Sequence, residues 1–197
     1  QAALAWDNHA RLTKQALQTY DSWEKVEFEP IEKVLTSINV GIHPAPKSLE
    51  EFVEQLYIQG HRVDWKKKIT GNALEVLAAS VDEPDHGMDQ ELKLAEYQDK
   101  MGGYTGLASQ APRHLYFGPW RWSSPVATFH LPMHAMGFAH ERAELFFNLS
   151  KQAQRSGHAY WSYRFLGWGL HYVQDLMQPY HSSQLSHMKL FGFSALF

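Results

Sequence analysis

The sequence predicts an all-α protein, a compact multi-helix domain with long irregular connections. Apolar residues recur three and four apart over several stretches, strand-like alternation is scarce, and glycines and prolines gather in a few long links. At 197 residues the chain suits one domain able to bury a substantial core.

Taken in order, Leu12, Ala16, Leu17 and Tyr20 predict a first helix over about 8–20, with Asp7 or Asn8 as N-cap. A second apolar stripe runs through Ile31, Val34, Leu35 and Ile38. Two prolines and a glycine make 41–47 a loop. Ser48 and Glu51 form a capping-box pair ahead of Phe52, Leu56 and Tyr57. Asn72 caps a short helix containing Leu74, Leu77 and Ala78. From about 82 to 132 the periodicity fades, and connections that long are usually functional or disordered. Two longer helices follow, over about 133–154 and about 160–176. Trp161, Phe165, Trp168 and Tyr172 give the last one an apolar face.

A net charge of −3 shows no basic surface for nucleic acid, although bound cations could themselves attract a phosphate substrate. With twelve histidines and no cysteine, any zinc must be held by imidazole nitrogen and carboxylate oxygen, the donor set of hydrolytic sites. Zero cysteines excludes a disulfide framework, and no apolar run approaches the length of a membrane span. Residues 1–5 are mostly small and apolar, like the remnant of a cleaved secretory signal, which points to a secreted or periplasmic protein.

The segment His171-Tyr172-Val173-Gln174-Asp175-Leu176-Met177-Gln178-Pro179-Tyr180-His181 concentrates the chemistry. Residues four apart share a helix face, so His171 and Asp175 can grip one ion. Pro179 ends the helix, and the turned chain can return His181 to that face. Gly167, one turn earlier, leaves room where an ion or its neighbour needs it.

This whole segment resembles the core helix of the zinc-dependent phospholipase C / S1-P1 nuclease superfamily, whose members are mainly helical and use three zinc ions to hydrolyse phosphodiesters. The stretch Trp6-Asp7-Asn8-His9 is similar to the family's opening. The resemblance implies that Trp6, through its free amine and carbonyl, shares an ion with His9 and Asp175; either residues 1–5 are removed in the mature protein or this zinc is bound differently. Ser80-Val81-Asp82-Glu83-Pro84-Asp85 resembles the family's acidic segment and nominates Asp85, with Asp82 as the alternative. Arg113-His114-Leu115-Tyr116-Phe117-Gly118-Pro119 resembles its His-Phe-Tyr-Asp-Pro segment and nominates His114, at a longer interval from Asp85 than is usual in the family.

The implied metal ligands are thus Trp6, His9, Asp85, His114, His171, Asp175 and His181, with Asp85 and Asp175 as the catalytic carboxylates. Residues 6–197 form the catalytic domain. In the family His181's counterpart is joined by a downstream His-x3-Glu pair, whereas here His187 follows without any later carboxylate. Either the sequence is part of a longer polypeptide that carries the missing ligands, or the protein is a degenerate enzyme with two zincs or none.

Tyr116, Phe117 and Trp120 are candidate substrate-binding rings, suited to a lipid interface, a choline headgroup or a stacked base, and equally to a core. The expected activity is that of a phospholipase C acting on phospholipid such as phosphatidylcholine at a membrane surface, without an obligate protein partner. The alternatives are a nuclease cleaving single-stranded nucleic acid, and a non-catalytic zinc- or membrane-binding relative.

Overall fold

The computed structural model describes residues 8–40, 44–56, 58, 60–89, 111–116, 121–123, 128–130 and 137–182. These residues are mostly helical. Helix α1 spans His9–Leu17, α2 Leu49–Leu56, α3 Ala73–Ser80 and α4 Ala111–His114. Helix α5 spans Ala139–Arg155, α6 Ala159–Met177 and α7 Pro179–Ser182. Two short antiparallel pairs complete the set: β1 (Lys25–Val26) with β2 (Gly71–Asn72), and β3 (Arg121–Ser123) with β4 (Thr128–His130).

Helix α6 is the axis of the fold, and α5 packs along it. The two are joined by a tight turn in which Gly157 takes φ +82°, a conformation that costs glycine little. Trp161, Phe165, Trp168 and Tyr172 are fully buried and meet Phe146 from α5, Phe52 from α2 and Trp65. Each such ring contributes about 1.5–3 kcal/mol by leaving water. Helix α3 packs on the other side of α6 and carries α1 against itself.

Several expectations are corrected in detail. The stripe Ile31–Ile38 is two 3-10 turns, Ile31–Lys33 and Leu35–Ser37, because a three-residue repeat buries the same apolar positions. Helix α1 stops at Leu17, leaving Tyr20 65% exposed, and buries His9 and Thr13 rather than its apolar residues. Asn72 and Glu75 form the reciprocal capping box of α3. At α2 only half of that motif is present: Ser48 Oγ accepts from Glu51 N, while the Glu51 carboxylate accepts from Lys47 N. Helix α5 begins at Ala139, after non-helical residues 137–138, and the predicted start at 133 lies outside the described residues.

Gly167 also has a different role from the one its position suggested. A Cβ there would stand 2.8 Å from the Leu77 carbonyl oxygen and 3.0 Å from Ser80 Cβ. The bare backbone lets α3 close onto α6. No helix among the described residues is long and apolar enough to cross a membrane.

Candidate metal centre

The C-terminal half of α6 carries His171 and Asp175 on one buried face. Around Asp175 four other segments converge. His9 comes from the first turn of α1, Asp85 from a π-helical turn at Pro84–Met88, His114 from the end of α4, and His181 from α7. Pro179 starts α7, and His181 N–H donates to the Gln178 carbonyl, so the chain doubles back toward the α6 face.

The distances divide this cluster in two. Asp175 Oδ2 lies 2.7 Å from His114 Nδ1 and 3.2 Å from His171 Nε2, and those two nitrogens are 2.9 Å apart. Asp85 Oδ1 completes this half at 3.7 Å from His114 and 3.6 Å from His171. Tetrahedral zinc with bonds near 2.0–2.1 Å imposes donor–donor separations of about 3.3 Å. Two nitrogens and two carboxylate oxygens spaced this closely suit such an ion. Asp175 Oδ1 and Asp85 Oδ2 face the other half, at 3.6 and 3.7 Å from His9 Nε2. Each carboxylate therefore presents one oxygen to each half, and Asp175 is the shared member.

Hydrogen bonds behind the imidazoles fix which ring nitrogen faces inward. His171 Nδ1–H donates to the Val81 carbonyl at 2.9 Å, and His181 Nδ1–H to the His114 carbonyl at 3.0 Å. His9 Nδ1 pairs at 2.9 Å with the Gln174 amide oxygen, whose own NH2 donates to Thr13. In neutral His9 and His171, Nε2 then carries its lone pair into the centre. His181 Nδ1 also lies 3.3 Å from Asp175 Oδ1. With that nitrogen committed as donor, His181 would offer a metal its Nε2. His114 Nε2 is buried without a hydrogen-bond partner among the described residues, so its Nδ1 is the nitrogen engaged with the cluster.

Electrostatics follow from this packing. Burial opposes ionisation of Asp175, but hydrogen bonds from His114, His171 and His181 outweigh it and hold the carboxyl far below the usual range. Burial likewise opposes charge on His171 and His181, yet the bond to Asp175 and its charge raise both. His9 is lowered by burial and then by the charge of His171. An ionised carboxylate surrounded by imidazoles is an arrangement in which a divalent cation can replace protons.

His9, Asp85, His114, His171, Asp175 and His181 are brought together. Trp6, Phe117, Trp120 and His187 lie outside the described residues. Tyr116 stands beside the centre: its N–H donates to the His181 carbonyl at 2.9 Å, and its ring lies 4.3 Å from that of exposed His140. Asp82 Oδ1 accepts the Ala10 N–H at 3.1 Å and so ties α1 to the acidic segment, a different task from the ligand role weighed for it. His158, which precedes α6, is pinned between Glu29 and Ser37.

No family model matches the chain, and neither curated proteins nor solved structures give a match.

Two supporting groups escape the motif reading. Glu83 accepts from Arg164 Nε and NH2, both at 3.0 Å, and from Trp168 Nε1 at 2.6 Å. Asp89, fully buried, accepts from Arg113, Arg142 and Tyr172. The available signal was an arginine inside each core-facing stripe, Arg142 on α5 and Arg164 on α6. A buried guanidinium requires an acidic partner.

Proposed function

We propose that the chain is a zinc-dependent phosphodiester hydrolase with a phospholipase C / S1-P1 nuclease-like fold, acting on phospholipid at a membrane surface after export from the cytoplasm. One observation carries this reading. Residues nominated by resemblance to that family, from four stretches well separated in sequence (His9, Asp85, His114 and the 171–181 segment), cluster about the buried Asp175 carboxylate at distances suited to metal ligation. Cooperating nitrogen and oxygen donors with no thiolate fit zinc in a hydrolytic setting.

Asp85, His114, His171 and Asp175 would hold one ion, and His9 with Asp175 a second, to which the Trp6 amine and carbonyl belong in the family. His181 Nε2 would serve a third. When bound, the ions would neutralise phosphate oxygens and lower the pKa of water. Asp85 is the more exposed carboxylate, 17% against 3% for Asp175, and so is the one placed to take a proton from entering water. Asp175 stays ionised and holds the two halves in register. Hydrolysis then breaks a P–O bond, releasing diacylglycerol and a phosphorylated headgroup without a covalent intermediate on the protein.

The test is elemental analysis of protein purified without added metal, alongside assays on short-chain phosphatidylcholine and single-stranded DNA with and without chelator. We expect bound zinc, chelator-sensitive phosphatidylcholine hydrolysis, and loss of both in His171→Ala and Asp175→Asn. Activity on DNA alone would move the assignment to the nuclease branch. Chelator-resistant activity, or a chain with neither zinc nor activity, would refute it.

A further inference from the structure

Asp89 occupies an unusual place. It lies one turn beyond Asp85, fully buried, and its two oxygens accept from three residues on three different elements. Arg142 of α5 donates Nε at 3.0 Å and NH2 at 2.7 Å, while its NH1 reaches the Leu56 carbonyl at 2.8 Å. Arg113 of α4 and the Tyr172 hydroxyl of α6 complete the set. Burial disfavours the charge on Asp89, but Arg142 and then Arg113 outweigh that penalty and hold its carboxyl below the ordinary range.

The partners are informative because of what stands beside them. Arg113 immediately precedes His114, and Tyr172 immediately follows His171. The Tyr172 ring lies 5.3 Å from the His114 ring and 5.1 Å from the His171 ring. One carboxylate thus ties together the chain segments carrying Asp85, His114 and His171, which supply three of the four donors in the tighter half of the centre.

We propose that Asp89 is a positioning residue for the metal centre: through Arg113 and Tyr172 it sets the separation of His114 and His171 from Asp85. The inference rests on the metal-centre reading above. A ligand set drawn from remote segments holds an ion tightly only if its spacing is fixed beforehand, and outer groups that orient ligands typically influence metal affinity by about 10–100-fold.

Cobalt(II) supplies the test, since its visible absorption reports coordination geometry directly. Full-length wild type, Asp89→Asn, Tyr172→Phe and the control Val34→Ala are titrated with Co(II), and thermal unfolding is followed in parallel. Val34 is fully buried between the two 3-10 turns, in a segment that bears none of the proposed ligands. We expect wild type to give the intense band of a four-coordinate site. Asp89→Asn should lose about 10–100-fold in affinity with a weakened or shifted band. Tyr172→Phe, which keeps the ring and removes one donor, should change in the same sense by a few-fold, and it carries the test alone if Asp89→Asn does not fold. Val34→Ala should lose thermal stability with band and affinity intact.

Wild-type band and affinity in Tyr172→Phe, and in Asp89→Asn if it folds, would overturn the positioning role. So would a Val34→Ala variant whose Co(II) site changes as much as theirs. Wild type that binds no Co(II) would instead remove the metal-centre reading itself.

Discussion

At the scale of single residues, Asp175 and Asp89 show one carboxylate chemistry used in two ways. Both are buried and held ionised, Asp175 by imidazoles that can exchange protons for metal, Asp89 by guanidinium groups that cannot lose theirs. The second case has a consequence for acid stability. A carboxyl depressed by folding contributes stability above its unfolded value of about 3.9 and loses it as pH falls through the lower folded value. Metal-free protein should therefore lose stability progressively below about pH 4, because the unfolded chain takes up the Asp89 proton before the folded one does. Urea unfolding between pH 5 and pH 2 checks this. Asp89→Asn should be less stable at pH 5 and lose less on acidification, and equal slopes for the two proteins would contradict the account.

At the scale of elements, the approach of α3 to α6 decides where Val81 lies and hence how His171 is oriented. Alanine in place of glycine within a free helix would stabilise by about 1 kcal/mol. Here the added methyl meets the Leu77 carbonyl, the Ser80 side chain and the Val81 backbone nitrogen, which at 2.8–3.2 Å cannot all yield without moving α3. Gly167→Ala should thus destabilise by about 1–3 kcal/mol and weaken metal binding along with it. Denaturant midpoints decide the sign, and a stabilised variant would show that the helices are free to separate.

The same elements show what could be read in advance. The long apolar face of α6, the capping residue Asn72 and the turn after Met177 were legible because each is a local pattern of propensity and spacing. The convergence of His9, Asp85 and His114 on Asp175 was legible only through motif resemblance, and periodicity alone gave no hint that α1 turns His9 and Thr13 inward. Glu83 and Asp89 were missed because the 82–132 stretch carries no local period. Their positions are set by Arg142, Arg164, Trp168 and Tyr172, residues far away in sequence.

At the scale of the whole molecule, the centre is a junction of five segments, with His171 and Asp175 sharing α6 and the other candidate ligands each on a segment of its own, so an ion bound there would cross-link the fold. A ligand that binds only the native state stabilises it by about 2.7 kcal/mol at a hundredfold excess over its dissociation constant. Zinc should raise the unfolding temperature in a concentration-dependent way, and chelator should lower that of the protein as purified. Calorimetry with and without chelator measures both, and a midpoint indifferent to zinc would mean that the cluster does not bind it.

The pairing of His9 with Gln174 spans 165 residues. A polypeptide emerging from the ribosome has His9, Asp85 and His114 in hand long before the keystone Asp175 is made. Any cation that this cluster held would therefore be captured only after α6 has been made.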